Sequence, residues 1–192
     1  MAADEPNTDL EVLVVDDEKE VADAYALRLR GFCETETAYG GEAALDAIEA
    51  ETFDVVLLDR HMPGLSGDEV LRELDDRDFR GRVVMVTAVD PHFDVIEMPF
   101  DDYLCKPVDR EDVRAAVDQQ RRVLAYEVLG EYFSAESKRA VLESGTAESA
   151  RATHDGYEAL SERAAALEAR AKRLLDDPSA VDAFDDVRRE EL

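Results

Sequence analysis

Acidic, hydroxyl and lysine side chains stand at the ends of short apolar runs in this chain, at Asp16, Asp17, Asp59, Thr87 and Lys106. If those runs are parallel strands of one sheet, the five side chains meet at a single edge, because ligands of open parallel sheets bind beyond the carboxyl ends of the strands. A carboxylate can attack phosphorus, and carboxylate oxygens are ligands that Mg²⁺ accepts. The spacing therefore predicts a phosphate-accepting, magnesium-binding pocket.

Each of these residues has an ordinary structural explanation when it is taken alone. Asp16 and Asp17 could end a strand or cap the helix that begins near Glu18, and Asp59 could be a turn residue. Coincidence at four strand ends favours the pocket. Three converging carboxylates repel one another by roughly 4 kcal/mol per pair at 4 Å and an effective dielectric near 20, so the cluster needs a cation, and Mg²⁺ suits all-oxygen ligands.

Strand-like runs alternate with helical patterns through the first two thirds of the chain, which is typical of βαβ units and a doubly wound parallel sheet. Five strands are predicted, at Leu10–Asp16, Cys33–Tyr39, Asp54–Asp59, Val83–Ala88 and Tyr103–Lys106. Helices are predicted from near Val21 to Gly31, around Ala43–Ile48 and at Ser66–Asp76. Between Thr87 and Lys106 the chain has room for little more than one helical turn, so the fourth helix should be short.

After Lys106-Pro107 the pattern is helical only. Asp109 is the predicted N-cap of a helix that continues well beyond the length needed to cover a sheet. The further predicted elements are a second helical segment at Ser137–Glu143 that ends at Gly145, a polar stretch at Thr146–His154, and a helix that starts at Asp155 with Glu158 as a capping box and ends before Asp176.

The last of these helices carries a heptad pattern. Tyr157, Ala164 and Ala171 alternate with Leu160, Leu167 and Leu174 at positions a and d, which predicts a coiled-coil seam between two copies of the chain. A stripe at this spacing also serves as the core face of a helix within one chain. Both interpretations stay open, and residues 178–192 are expected to form a last short helix or to be mobile.

Composition limits the classes of protein that fit the sequence. The net charge is -26, from 48 acids and 22 bases, which disfavours attraction to nucleic acid or anionic membranes and suits a cytoplasm of molar salt. The longest apolar runs have only a few residues, so a membrane span is not expected and the protein is expected to be cytoplasmic. Cys33 and Cys105 are expected to be buried small hydrophobes without a disulfide.

The pocket residues lie in motifs that resemble the receiver domains of two-component response regulators. The resemblance covers about residues 9–120 and is carried by four motifs, Leu13-Val14-Val15-Asp16-Asp17-Glu18, Leu57-Leu58-Asp59-Arg60-His61-Met62-Pro63-Gly64, Val86-Thr87-Ala88 and Asp102-Tyr103-Leu104-Cys105-Lys106-Pro107. It implies a flavodoxin-like five-stranded parallel sheet with strand order 2-1-3-4-5.

The resemblance also implies a role for each residue of the pocket. Asp59 would accept a phosphoryl group from the phosphohistidine of a sensor histidine kinase. The Mg²⁺ ligands would be Asp16 through water, Asp17, Asp59 and the backbone carbonyl of His61. Thr87 and Lys106 would bind the phosphoryl group, and Tyr103 would turn inward on activation. His92 and His154 have no implied role, and the short fourth helix puts the usual dimer geometry of the family in doubt.

Residues 121–192 resemble the HalX-type domain that follows receiver domains in halophilic archaea. The resemblance is carried by Tyr132-Phe133-Ser134, Ser137-Lys138-Arg139, Tyr157, Leu160 and the stretch from Leu167 to Leu175. The family has no established activity that could be transferred to this chain. The chain is therefore expected to be an all-α, partly coiled-coil output or dimerisation region joined to a receiver.

Three functions are compatible with these features to different degrees. The first is a phosphorylation-controlled signalling protein with only self-phosphorylation and self-dephosphorylation chemistry, whose helices contact a partner or a second copy and which could regulate transcription. The second is an aspartate-nucleophile phosphatase, which is disfavoured because His61 stands where a general acid is expected. The third is a DNA-binding transcription factor, suggested only by the basic clusters Arg121-Arg122, Lys172-Arg173 and Arg188-Arg189.

Overall fold

A computed structural model of the protein describes residues 9–88 and 93–182. Asp90-Pro91, His92 and the Arg188-Arg189 cluster lie outside the described residues, as does most of the predicted C-terminal tail. The chain divides into two compact units after Arg121. In the part of the chain that the structure describes, no helix is both long and apolar enough to cross a membrane.

The first unit is built on a parallel sheet. Its five strands among the described residues are β1 (Glu11–Val15), β2 (Glu34–Ala38), β3 (Val55–Leu58), β4 (Arg82–Thr87) and β5 (Asp102–Cys105), in the order β2-β1-β3-β4-β5. This is the order that the resemblance implies, and it confirms the doubly wound, flavodoxin-like topology. The winding direction reverses between β1 and β3, which is the place where such sheets bind ligands.

The central strands are buried on both faces. Leu13 of β1, Val56 of β3 and Met85 of β4 lie in one core cluster with residues of the helices that cover that side, among them Ala44 and Leu71. The residues that alternate with them along the strands are also buried. Covering helices on both faces explain why these strands read as continuous apolar runs rather than as alternating patterns.

Three helices connect the first four strands, namely α1 (Lys19–Leu29), α2 (Gly41–Ala50) and α3 (Gly67–Asp76). The start of α3 is fixed by a capping box: the Ser66 side chain accepts from the backbone N–H of Glu69, and the Glu69 carboxylate accepts from the backbone N–H of Ser66. Bonds to Ser66 hold the pKa of Glu69 below its ordinary value.

Among the described residues between β4 and β5 the one helical element is a 3-10 helix, Phe93–Glu97, which agrees with the prediction of a short fourth helix. Phe93 is 92% exposed and Ile96 is 74% exposed. After β5 the chain enters α4 (Arg110–Gly145), whose first turn is capped by the Asp109 carboxylate, a bond acceptor for the N–H groups of Glu111 and Asp112. The predicted N-cap is therefore confirmed.

Several predicted details are wrong. Ser137–Glu143 is not a separate segment but the last part of α4, which runs as one helix of 36 residues. The polar stretch contains a short helix, α5 (Glu148–Arg151). The helix α6 (Asp155–Leu174) is capped by His154, whose Nδ1 accepts from the N–H of Gly156, and not by Asp155. Cys33 is buried, but Cys105 is exposed; burial raises the pKa of the Cys33 thiol to about 12.

The second half of α4 packs antiparallel to α6. Arg122 Nε lies 3.6 Å from a carboxylate oxygen of Asp176. Farther along α4, Glu131 pairs with Arg163 at 2.8 Å, and near its end Glu143 accepts a bond of 2.9 Å from the hydroxyl of Tyr157. As residue numbers rise along α4 they fall along α6, so the two helices form a hairpin.

The heptad stripe of α6 belongs to this hairpin. Ala164, Ala171 and Leu174 are each at most 1% exposed in a single copy of the chain. The stripe is therefore a core face within one chain, and the predicted coiled-coil seam on α6 is not seen. Small alanines at alternate turns allow a helix to approach its neighbour closely, so the alanines fit this packing.

A glycine at the start of α3 generates the first prediction. A Cβ on Gly67 would clash with the backbone carbonyl oxygen of Asp59 and lie 2.9 Å from the Cα of Arg60. We expect Gly67→Ala to lower the free energy of unfolding by about 1–3 kcal/mol, because backbone atoms cannot move aside cheaply. Gly145→Ala, where a Cβ meets no atom within 4 Å, is the control for chemical denaturation. Equal stability of the two variants would contradict the expectation.

The Tyr157–Glu143 bond generates the second prediction. This hydrogen bond, with help from Arg139, holds the pKa of Glu143 below its ordinary 4.5. A lowered carboxyl pKa stabilises the fold above the ordinary pKa, and that contribution is lost as the pH falls through the folded-state pKa. We expect Tyr157→Phe to lower the free energy of unfolding by up to about 1 kcal/mol near neutral pH. The difference in stability between wild type and the variant should become smaller below about pH 4.5.

Thermal unfolding at several pH values measures this gap. Tyr126→Phe is the matched control, because Tyr126 is 70% exposed and should lose nothing with its hydroxyl. A gap for Tyr157→Phe that keeps its size at acid pH would show that the Glu143 carboxylate is not responsible.

Candidate functional site

The ends of β1 and β3 bring two carboxylates side by side. Val15 pairs with Leu58 in the parallel register, so the next residue on each strand is an aspartate, Asp16 on β1 and Asp59 on β3. The N–H of Asp59 donates to the carbonyl of Val15 at 2.9 Å, which extends the pairing to the site. Asp16 is 3% exposed and Asp59 is 7% exposed.

A lysine ammonium joins the two carboxylates. Lys106 Nζ lies 2.7 Å from Oδ2 of Asp16 and 2.6 Å from Oδ1 of Asp59. The ammonium stands just past β5, where the N–H of Lys106 donates to the carbonyl of Thr87 at 2.7 Å. These two attractions offset the repulsion between the neighbouring carboxylates, because opposite charges at this distance attract strongly in a poorly solvated site.

The electrostatics of Lys106 reflect this pairing. Burial alone lowers the pKa of a lysine, because the charged form loses water. At Lys106 this effect is exceeded by hydrogen bonds and charge interactions with Asp16 and Asp59, so the pKa stays above its ordinary value. The ammonium is therefore charged at neutral pH and balances one of the two negative charges around it.

Backbone donors hold the other oxygens of the two carboxylates. The N–H of Glu18 donates to Oδ1 of Asp16 at 2.9 Å, and the N–H of His61 donates to Oδ2 of Asp59 at 2.7 Å. Each carboxylate thus has one oxygen on the lysine and one on the main chain. This arrangement fixes the orientation of the Asp59 carboxylate before any ligand arrives.

The remaining residues of the predicted pocket stand at the same edge or near it. Thr87 ends β4 beside β5 and is 1% exposed. Tyr103 lies on β5, half-buried against the core, with its ring centroid 5.5 Å from that of Phe100. The His61 side chain is exposed, so only its backbone takes part in the site.

The structure groups two of the three carboxylates and leaves the third outside. Asp17 is exposed, and among the described residues no three Asp, Glu, His or Cys side chains are grouped closely enough to hold a metal ion. The donor set nevertheless suits Mg²⁺ in its chemistry, since it consists of carboxylates and a backbone carbonyl.

Two features that support the site were missed by the sequence analysis. Arg60 donates two hydrogen bonds to the carboxylate of Asp68, from Nε at 3.0 Å and from a terminal nitrogen at 3.2 Å. These bonds connect the loop after Asp59 to the first turn of α3. Gly67 lets that turn pass against the backbone of Asp59 and donates its N–H to the carbonyl of Arg60 at 3.0 Å. The sequence shows only that Arg60 and Gly67 follow Asp59. It does not show that Arg60 binds Asp68 or that Gly67 contacts the backbone of Asp59.

The comparisons with known proteins agree with this geometry. Residues 12–118 match the response regulator receiver domain family, and residues 122–190 match the HalX domain family. A Haloferax volcanii protein named "Putative transcriptional regulator" is 46% identical over 161 residues, which are 82% of this chain and 27% of that protein. The transcriptional regulatory protein CutR of Streptomyces coelicolor is 41% identical over 102 residues, 51% of this chain and 47% of that protein.

The chain therefore corresponds to about a quarter of the first relative's length and about half of the second's. Among solved structures, the receiver domain of the Francisella response regulator 1452 superposes with a TM-score of 0.55 at 29% identity, covering 58% of this chain and 96% of that domain. The signal receiver domain of a Vibrio parahaemolyticus protein named "putative Luxo repressor protein", at 24% identity and a TM-score of 0.61, covers 64% of this chain and 98% of that domain and shows the shared fold.

The family matches cover most of the chain, and the strand order and the paired carboxylates at its switch point agree with them. The chain belongs to the response regulator receiver family of two-component signalling and carries a HalX domain after its receiver.

Proposed function

We propose that Asp59 accepts a phosphoryl group from the phosphohistidine of a sensor histidine kinase and that the helices beyond the receiver pass the signal on. The observation that carries this proposal is the preorganised Asp59 carboxylate, buried, bonded to Lys106 Nζ at 2.6 Å and to the His61 N–H at 2.7 Å. A carboxylate in a structural ion pair alone does not need a neighbouring carboxylate such as Asp16 on the same lysine.

The chemistry is an in-line transfer. A carboxylate oxygen of Asp59 forms a bond to phosphorus while the bond from phosphorus to the histidine nitrogen breaks, and the electron pair of that bond stays with the nitrogen. Lys106 is already within hydrogen-bonding distance of Asp59. Its ammonium can therefore stabilise the negative charge on the phosphoryl oxygens as the group is transferred. Thr87, at the end of the adjacent strand, supplies a hydroxyl for a phosphoryl oxygen, and Tyr103 turns inward in the phosphorylated state.

We propose that Mg²⁺ is held by Asp17, Asp59 and the backbone carbonyl of His61, with Asp16 acting through water. When bound, the ion would supply additional positive charge, because the negative charge of two carboxylates and an incoming phosphoryl group is larger than the single positive charge of the Lys106 ammonium. The acidic, all-oxygen donor set supports this assignment, and the receiver family uses Mg²⁺ for the same step.

The two parts of the chain have separate tasks in this proposal. Residues 9–120 act as the receiver, and residues 121–192 act as the output and dimerisation region, through contact with a partner or a second copy of the chain. Both relatives described above are named as transcriptional regulators, which supports a role in regulating transcription. A cytoplasmic location and a signalling rather than an enzymatic role are parts of the same proposal.

Direct DNA binding by the helices is the weaker alternative. Arg121 is 4% exposed and pairs with Asp118 at 2.8 Å, Arg122 faces Asp176, and Lys172 pairs with Glu168 at 2.6 Å. Basic side chains that are engaged in this way are less available to phosphates. The aspartate-nucleophile phosphatase stays disfavoured, since no acidic side chain stands two residues after Asp59.

Phosphoryl acceptance is tested by Asp59→Asn, with Asp54→Asn as the control. Asp54 is a buried aspartate at the opposite end of the same strand, where it accepts from the N–H of Glu11 at 3.2 Å. With Mg²⁺ and a small phosphoryl donor such as acetyl phosphate, we expect Asp59→Asn to lose essentially all labelling and Asp54→Asn to keep it. Labelling of Asp59→Asn at the wild-type level would contradict the proposal.

The lysine generates a prediction on stability. Lys106→Met leaves two buried carboxylates without their counter-charge, so we expect it to cost about 3–5 kcal/mol in a metal-free buffer. Lys172→Met is the matched control, because it removes a bond of the same 2.6 Å length on an exposed surface and should destabilise the fold much less than Lys106→Met, since water screens an exposed pair. Added Mg²⁺ should stabilise Lys106→Met more than wild type in thermal unfolding, and an equal effect would count against a shared site.

A further inference from the structure

Arg60, the residue that follows Asp59, is held from two sides by the start of α3. Its side chain donates to the carboxylate of Asp68, from Nε at 3.0 Å and from a terminal nitrogen at 3.2 Å. Its backbone carbonyl accepts a bond of 3.0 Å from the N–H of Gly67. Asp68 and Gly67 are neighbours in the first turn of α3, so one turn of helix fixes both the side chain and the main chain of Arg60.

The first turn of α3 is a firm anchor for these bonds. The capping box of Ser66 and Glu69 fixes where the helix begins. The inner face of the helix is buried in the core through Val70, Leu71 and Leu74. A residue that is bonded to this turn is therefore held in a defined position relative to the sheet.

The peptide unit between Arg60 and His61 connects the anchor to Asp59. Its carbonyl accepts from Gly67, and its N–H donates to Oδ2 of Asp59 at 2.7 Å. In a trans peptide unit the carbonyl and the N–H lie in one plane and point in opposite directions. The bond that fixes the carbonyl therefore also fixes the direction of the N–H that holds the Asp59 carboxylate.

The Arg60–Asp68 pair differs from the surface ion pairs of α3 in its burial. The side chain of Arg60 is 12% exposed. Arg77, the C-cap of the same helix, pairs with Glu49 and Glu73 but keeps 40% of its side chain exposed. Water screens an exposed pair, whereas two parallel bonds hold the buried guanidinium of Arg60 in one orientation.

We infer that Arg60 is a positioning residue for phosphoryl acceptance. Its ion pair with Asp68 holds the Arg60–His61 peptide unit in place, and the N–H of that unit holds the Asp59 carboxylate. Arg60 donates no bond to Asp59 itself and acts through the N–H of His61. This inference rests on the proposed function, because it assigns one more residue to the same reaction.

The expected effect is an Asp59 carboxylate with one orientation before the phosphoryl donor arrives. Oδ1 is bonded to Lys106 Nζ at 2.6 Å, and Oδ2 is bonded to the N–H of His61 at 2.7 Å. A carboxylate that can rotate spends only part of its time with an oxygen directed at phosphorus, and this lowers the rate of attack. Loss of the Arg60 pair leaves the bond to Oδ2 without its support.

Amide hydrogen exchange of the full chain in a metal-free buffer, followed by NMR, tests this support. We expect Arg60→Met to raise the exchange rate of the His61 N–H about 10-fold or more, because local opening of the loop no longer has to break the Arg60–Asp68 pair. The N–H groups of Val56 and Leu57 in β3 should keep their protection, which separates a loosened loop from a loosened fold. Unchanged exchange at His61 would overturn the inference.

Labelling of Asp59 by acetyl phosphate with Mg²⁺ tests the effect on the reaction. We expect Arg60→Met to lower the labelling rate at saturating donor about 10-fold or more, because the carboxylate loses its orientation. The half-saturating donor concentration should change less than about 2-fold, since donor binding is not affected. Arg77→Met is the matched control, because it removes an arginine from ion pairs at the far end of α3, and it should react at the wild-type rate.

The result of this labelling separates the inference from the proposed function. Equal labelling rates for wild type and Arg60→Met would overturn the role of Arg60 and leave Asp59 as the phosphoryl acceptor. A wild-type chain that is not labelled at Asp59 would contradict the proposed function, and the role of Arg60 in that reaction would be refuted with it.

A charge exchange shows whether the ion pair is the cause. Arg60→Asp alone places two carboxylates opposite each other, and Asp68→Arg alone places two guanidinium groups there, so both variants should be labelled slowly. The double variant Arg60→Asp with Asp68→Arg restores a pair of opposite charges and should recover to within about 3-fold of the wild-type rate. A double variant that is as slow as the single ones would overturn the inference.

Discussion

The shared ammonium of Lys106 is the interaction on which the site depends. It brings together Asp16 from β1 and Asp59 from β3, at 2.7 and 2.6 Å, and it is itself delivered by β5 at the edge of the sheet. The topology makes this possible, because parallel strands end on one side and the winding reverses between β1 and β3. Two buried carboxylates would repel each other, and the ammonium of Lys106 offsets this repulsion and holds both of them in place.

The sequence was sufficient for the parts of the fold that rest on continuous apolar runs and on strand-end residues. Both central strands, the short fourth helix and the convergence of Asp16, Asp59 and Lys106 follow from those patterns. Details that depend on partners distant in sequence could not be predicted. Arg60 gives no sign that it will bind Asp68, and the burial of Ala164 and Ala171 against α4 looks the same in sequence as a coiled-coil seam.

The same lesson applies to the helical region. His154 caps α6, although Asp155 is the better N-cap by residue type, because the His154 Nδ1 accepts a hydrogen bond from the N–H of Gly156.

In the proposed function, Asp59 carries the phosphoryl group. An acyl phosphate can be reduced with borohydride, which converts the modified aspartate into homoserine and marks its position permanently. After phosphorylation with Mg²⁺ and reduction, peptide mass spectrometry should find homoserine at position 59 and aspartate at positions 16, 17 and 54. Homoserine at any of those three positions, with an unmodified Asp59, would contradict the account.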